Sequence, residues 1–278
     1  MNKQSVRNTE KFPPEISKER EVYLQKKQRR KMWIRISQWG ILLLFLAQWE
    51  ITARLGWIDS FILSQPSRIG NTFLNMAQND LLMHLGVTVY ETLVGFLLGV
   101  VFGTLLAIIL WWSDFISKVS EPYLVVLNSL PKIALGPVII VIAGAGTQAI
   151  IFMALAISLV VTVLEMLNGF RRTDPEYIRM AMSFGANKRQ IFTKVVFPYN
   201  IATLFNSLKI NIGLSLVGVI AGEFLVSKAG LGYLIVYGGQ VFQLDLVMTS
   251  VIILAVVAAL MYEAVVLLQK LVMKWYGH

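Results

Sequence analysis

At 278 residues, 56% of them hydrophobic and with a mean hydropathy of +0.65, the chain is more apolar than soluble domains, which run at about 45–50% even with glycine counted. An ordinary water-soluble fold is excluded, and an all-α polytopic membrane protein is expected. The net charge of +9 is not a nucleic-acid footprint, because no recognition motif accompanies it. With no cysteine and only His84 and His278, disulfides, iron–sulfur clusters, thiolate metal sites and a histidine-built metal site are excluded as well.

Residues 1–35 carry Pro13-Pro14, the run Lys26-Lys27-Gln28-Arg29-Arg30-Lys31 and eleven of the 25 Lys and Arg. With few apolar residues this stretch is expected to be a flexible cytoplasmic tail. Its basic run is expected to lie near anionic headgroups and hold that end inside; a signal peptide is the competing reading, and the long charged region with no small-residue cleavage site after it favours an uncleaved anchor. Spanning a bilayer takes about 20 apolar residues in a helix. Six segments are expected to do so, near 36–55, 85–112, 122–143, 147–169, 200–226 and 245–269.

Six more basic residues fall between Arg171 and Lys194. The positive-inside rule places them and the N-terminal tail in the cytoplasm, and six crossings return Lys270 and Lys274 to the same side. Between the first two spans, Trp57 to Asp80 reads as an external interfacial helix after the turn Ser64-Gln65-Pro66-Ser67. Trp111-Trp112 and Trp275-Tyr276 suit the cytoplasmic interface. In the second span Gly95, Gly99, Gly103 and Ala107 recur every four residues, the spacing that lets helix backbones approach closely, and Gly218 and Gly222 repeat it in the fifth. Pro131 and Pro137 are placed to break the third span.

The polar stretch 170–198 has helix punctuation of its own. Asp174 is an N-cap with Pro175 at the first helical position and Glu176 in the first turn, and Gly185 supplies the left-handed geometry that ends a helix. Asn187 and Gln190 form a capping box that starts a second segment running to Pro198. Tyr177, Met180, Ala181 and Phe184 give the first helix an apolar face that needs a groove to occupy; an interfacial helix lying on lipid headgroups is the plainer reading.

In the fifth span Asn200, Thr203, Ser207, Asn211 and Ser215 share one face. A polar stripe inside a membrane must meet protein or water, so it either lines a solute path or bonds helix to helix. Ionisable groups inside spans are costly and each needs an account. Lys132, Glu165, Lys209, Glu223 and Glu91 are these groups. The lysines either receive an anionic solute or pair with Glu165 or Glu91. There is no G-x-x-x-x-G-K-[ST] and no Ser/His/Asp constellation, so the chain neither cradles nucleotide phosphates in the P-loop manner nor reads as an enzyme.

The loop spacing resembles the E-A-A-x3-G-x9-I-x-L-P pattern of bacterial ABC importer permeases. The pattern's second Ala falls on Ala181, its Gly on Gly185, its Ile on Val195, its Leu on Phe197 and its Pro on Pro198. Arg179 and Met180 stand where it has Glu and Ala. Leu130-Pro131-Lys132-Ile133-Ala134-Leu135-Gly136-Pro137 with Gly144 and Gly146, and Gly222-Glu223 with Gly230-Leu231-Gly232-Tyr233, are similar to segments of the same family. The resemblance spans residues 40–275 and is nearest to permeases for nitrate, sulfonates, taurine and thiamine-precursor pyrimidines. Glu91 stands where the resemblance implies a basic residue.

The resemblance implies a type I importer permease with six transmembrane helices over 36–278. It lies in the bacterial inner or plasma membrane, both termini cytoplasmic, and works as a dimer with a second copy. It also implies two ABC ATP-binding subunits, which bind the ATP and Mg while this chain binds no cofactor, and a periplasmic or lipid-anchored solute-binding protein. Its coupling residues are Glu176, Tyr177, Arg179, Met180, Ala181, Phe184, Gly185 and Pro198. The path candidates are Lys132, Glu165, Thr203, Ser207, Asn211, Ser215 and Glu223. The rival from another class is an ion-gradient-driven secondary transporter, which predicts inverted repeats and discontinuous helices near the midplane; the two halves show no convincing repeat. A membrane scaffold or sensor without transport is a third reading.

Overall fold

The computed structural model describes residues 18–57, 59, 61 and 64–275, in two compact units that divide between residues 60 and 61. Pro13-Pro14 and the rest of residues 1–17, together with Tyr276 and His278, lie outside the described residues.

In the first unit α1 (Lys18–Arg54) is one uninterrupted helix. The basic stretch expected as flexible tail is therefore helical from Lys18 onward. Lys, Arg, Gln and Glu are good helix formers, and the helix runs through them without a breaker. The apolar part exposes Trp39, Ile41, Leu43, Leu44 and Phe45, as a lipid-facing segment does.

In the second unit α2 (Pro66–Gln78) is the expected short helix after the Ser64–Ser67 turn, with Pro66 in its first turn. The long helix α3 (Leu81–Trp112) is followed by α4 (Asp114–Ser129), a 3-10 turn (Lys132–Leu135) and α5 (Gly136–Ala143). Next come α6 (Thr147–Arg171) and the short loop helices α7 (Pro175–Ser183) and α8 (Lys188–Ile191). A π-helical turn (Phe192–Val196) and a single turn α9 (Phe197–Tyr199) lead into α10 (Ile201–Val226), α11 (Leu231–Gln240) and α12 (Leu244–Trp275).

Among the described residues α3, α6, α10 and α12 are each long and apolar enough to cross a bilayer, and the pair α4 plus 132–143, bent by 87°, is so only when its two pieces are taken together, as a broken span or a re-entrant loop. The bend sits at Pro131, where the prolines placed it. The expected sixth span, 36–55, is helical but is not among these; Gln38, Gln48 and Glu50 dilute its apolar run.

The core of the second unit is α6, held between α3 and α10. A Cβ on Gly95 would lie 2.5 Å from that of Ala154, one on Gly99 would meet Ser158 Oγ, and one on Gly103 would lie 2.6 Å from Thr162 Cβ. On the other side a Cβ on Gly218 would lie 2.7 Å from Ala154 Cα and one on Gly222 3.1 Å from Ile150 Cα. Small residues thus let both neighbours touch one face each of α6. Its buried hydroxyls are absorbed locally, Ser158 Oγ donating to Ala154 O and Thr162 Oγ1 to Ser158 O, so these two polar groups do not burden the contact.

Candidate functional site: the 170–198 loop and the polar interior

The loop is bolted to the ends of α3 and α6. Ile191, Phe192 and Val196 are buried in one cluster with Ala107, Leu110, Val163, Met166, Leu167 and Phe170. The Phe192 ring lies 4.9 Å from that of Trp111, 5.9 Å from Trp112 and 5.4 Å from Phe170. Lys188 Nζ donates to Trp112 O at 2.8 Å and stands 5.4 Å over the Trp111 ring. The two tryptophans, expected as interface anchors, clamp the loop. Arg171 adds a brace to α4, donating to Ser117 Oγ at 2.7 Å and pairing with Glu121 at 3.4 Å.

Local chemistry shapes the loop as the sequence requires. Asp174 Oδ1 accepts from Glu176 N at 2.8 Å, with Pro175 next to the cap. After α7, Gly185 N donates to Met182 O at 2.9 Å and Ala186 N to Ala181 O at 3.1 Å. Gly185 adopts φ +75° with open space around it, so the position needs glycine for its backbone alone. The capping box is complete, Asn187 Oδ1 accepting from Gln190 N at 2.9 Å and Gln190 Oε1 from Asn187 N at 2.8 Å.

The expected apolar face of α7 is split. Ala181, with Ile178, packs inward on the cluster, whereas Tyr177, Met180, Met182 and Phe184 are exposed, Phe184 at 84%. Glu176 and Arg179 are exposed as well. Pro198 lines a shallow groove with Tyr177, Met180, Lys194 and Tyr199. The π-helical turn before Pro198 was not foreseen; it holds Phe192 and Val196 in the core while the chain turns into α10.

The path candidates separate into three places. Glu165 and Thr203 line a polar cavity of about 400 Å³ with Asn168, Arg172, Asn200 and Asn206. Glu165 Oε2 is buried there without a hydrogen-bond partner, and the edge is fixed by Asn200 Nδ2, donating to Thr173 Oγ1 at 2.8 Å and Val196 O at 2.9 Å. Arg172, Asn168 and Asn206 were not singled out from the sequence, although they continue the polar stripe onto α6 and one turn along α10. Ser207, Asn211 and Ser215 are buried within the helix packing, where Asn211 Nδ2 donates to Ser207 O at 2.9 Å and Oγ at 3.0 Å. Lys132 is at the bend, its Nζ donating to Asn128 O at 3.2 Å. Among the described residues neither Lys132 nor Lys209 pairs with Glu165 or Glu91.

Glu223, at the other end of the bundle, is 1% exposed. Its Oε1 accepts from Thr88 Oγ1 at 2.6 Å and its Oε2 from Gly232 N at 2.5 Å, while Thr88 Oγ1 accepts from Leu231 N at 2.8 Å. A Cβ on Gly230 or Gly232 would collide with the carboxylate, and Gly230 sits at φ +116°. The Gly-Leu-Gly spacing lets the first turn of α11 wrap a buried carboxylate.

Residues 99–277 match the family model described as "binding-protein-dependent transport system inner membrane component". The chain is 24% identical to the formylaminopyrimidine transport permease of Halalkalibacterium halodurans, over 84% of this chain and 93% of that protein. It is 25% identical to the putative aliphatic sulfonates transport permease of Escherichia coli, over 88% and 94%. In fold it is similar to a chain of the inward-facing MetNI methionine ABC transporter, with a TM-score of 0.63 at 20% identity, covering 69% of this chain and 95% of that one. The chain belongs to the binding-protein-dependent transport system inner membrane component family, and is an ABC importer permease subunit.

Proposed function

We propose that this permease forms a solute path with a second copy of itself and that the loop 170–198 seats a separate ATP-binding subunit, two copies per dimer. That subunit binds and hydrolyses the ATP with its Mg. A solute-binding protein, periplasmic or lipid-anchored, delivers solute at the opposite face, and both termini of the permease are cytoplasmic. The observation that carries this reading is the split of α7: one side is fused to the ends of α3 and α6 through Ile178 and Ala181, while Tyr177, Met180 and Phe184 project uncovered. A partner that moves the exposed side moves two spanning helices with it, the requirement for a rigid coupling element.

Glu176, Arg179, Gly185 and Pro198 complete the coupling surface. On the path side, Glu165 and Thr203 meet the solute in the polar cavity, Lys132 meets it at the bend, and Ser207, Asn211, Ser215 and Glu223 hold the surrounding helices in register. The cavity offers the Arg172 guanidinium and the Glu165 carboxylate together with amides, which suits a small anionic or heterocyclic solute such as nitrate, a sulfonate, taurine or a thiamine-precursor pyrimidine. A pull-down of the tagged chain from native membranes in mild detergent tests the reading. Recovery of a P-loop ATPase with the native chain and its loss with Gly185→Val are expected. Failure to recover an ATPase under conditions that preserve a known importer refutes it.

A further inference from the structure

Glu91 on α3 is wholly buried, and among the described residues neither of its carboxylate oxygens has a hydrogen-bond partner. Its polar neighbours are Thr147, at the start of α6, and the Glu223 carboxylate of α10. Glu223 is supplied quite differently. It takes the Thr88 hydroxyl and the backbone N–H groups of Gly232 and Tyr233, and these amides belong to the first turn of the ten-residue helix α11. Unsatisfied amides and the positive end of a helix favour a negative group, so Glu223 is the member of the pair built to carry charge. Beside Glu91 stand the Thr147 hydroxyl, which closes no hydrogen bond with it, and the Glu223 acceptor.

No basic side chain relieves the pair: among the described residues the ion pairs join Arg54 to Glu50, Arg68 to Asp245 and Arg171 to Glu121. Two neighbouring carboxylates out of water repel each other and pay desolvation twice, so a positive species must stand between them. A metal or alkali cation needs a shell of oxygen ligands. The hydroxyl of Thr88 is already committed, donating to Glu223 and accepting from Leu231 N, which leaves the two carboxylates and Thr147 among the polar neighbours named, short of a full shell. A proton needs only the two carboxyl groups.

We propose that Glu91 and Glu223 form a proton-binding site at the junction of α3, α10 and α11, one proton residing on Glu91 and donated in a hydrogen bond to the Glu223 carboxylate. Binding converts an orphaned acceptor into one more donor to Glu223, and ties α3 to the α10–α11 turn. The site is close to water. His84, one turn before Thr88, lines a cavity at the end of α3 opposite the loop, along with Asp80, Arg68 and Asp245, and its Nδ1 accepts from Gly230 N at 3.0 Å. The titratable groups around the junction are His84 from α3, Tyr233 from α11, stacked on His84 at 6.0 Å, and Asp245 from α12, held by Arg68 at 3.2 Å and Ser64 at 2.6 Å. From α6 Thr147 faces the pair, and among the described residues no ion pair joins Lys228 to either carboxylate.

Infrared spectra of the full-length chain in lipid nanodiscs at neutral pH, recorded in H₂O and D₂O, test this directly. A protonated-carboxyl C=O stretch that shifts on deuteration is expected in the native chain and lost in Glu91→Gln. Should the amide not be accommodated, Glu91→Met, similar in volume and apolar, serves the same purpose. Absence of the band in the native chain, or its persistence in both variants, overturns the proposal. Thermal unfolding of the same samples in sodium, potassium or a bulky organic cation is expected to give one midpoint; a sodium- or potassium-dependent midpoint lost in Glu91→Gln overturns it in favour of a metal cation.

Discussion

The α3–α6–α10 contact and the 170–198 loop both depend on glycine, for opposite reasons. At Gly95, Gly99 and Gly103 the backbone is ordinary helix and space is missing, since Ala154, Ser158 and Thr162 stand where a side chain would go. At Gly185 space is open and the backbone is the constraint, at φ +75°. The first region resists added volume and is indifferent to conformational preference; the second does the reverse. A spanning core without a hydrophobic drive between its helices relies on close approach, whereas a water-exposed loop relies on caps and turns.

Volume substitutions in the helix contact give the largest effect. Gly99→Leu drives a branched side chain into Ser158, and overpacking of this kind costs about 1–3 kcal/mol before any parting of the helices is counted. Loss of the monodisperse folded species in detergent is expected, with Gly185→Leu retaining it. Equal behaviour of the two variants would erase the distinction. Glu223→Ala comes next. It leaves the Thr88 hydroxyl and the Gly232 amide without an acceptor in the interior, at about 1–3 kcal/mol for each unsatisfied group, and a lowered unfolding midpoint checks it.

At Gly185 the expected cost is smaller and depends on residue type. A β-branched side chain in left-handed geometry loses about 1–2 kcal/mol, while asparagine visits that region readily. Gly185→Val is therefore expected to uncouple ATP hydrolysis from uptake with insertion intact, and Gly185→Asn to keep most of the coupling. Matched loss in both, measured by uptake and ATPase assays on reconstituted transporter, would mean that volume matters at 185 after all.

Much of the loop was legible in the sequence because its determinants are local. Asp174, Pro175, Gly185 and the Asn187–Gln190 pair each act within three residues of themselves. The glycine repeat was legible as a packing device, but its partners were not, because spacing along α3 says nothing about which helix brings Ala154, Ser158 and Thr162. The same limit hid the Thr88–Glu223 bond, which joins residues 135 apart in the chain, and the clamping of Phe192 by Trp111 and Trp112. Periodicity assigned Tyr177, Met180, Ala181 and Phe184 to one face; the structure divides them because Ala181 is small enough to settle against the core while Phe184 lies at the helix end. The basic stretch from Lys18 misled for a different reason, since scarcity of apolar residues bears on burial and not on helix propensity.

The smallest effect on stability is expected where the loop has no structural duty. Phe184 makes no ring contact among the described residues and is 84% exposed, so Phe184→Ala is expected to leave the unfolding midpoint within the range of surface substitutions, about ±0.5 kcal/mol. An aromatic ring left in water at the end of a rigid helix is nevertheless what an interface uses as an anchor. The same variant is therefore expected to weaken recovery of the ATP-binding subunit by tenfold or more, on the order of 1.4 kcal/mol. A change in stability without a change in recovery would place Phe184 in the fold of the loop and move the partner surface elsewhere on α7, to Tyr177 and Met180.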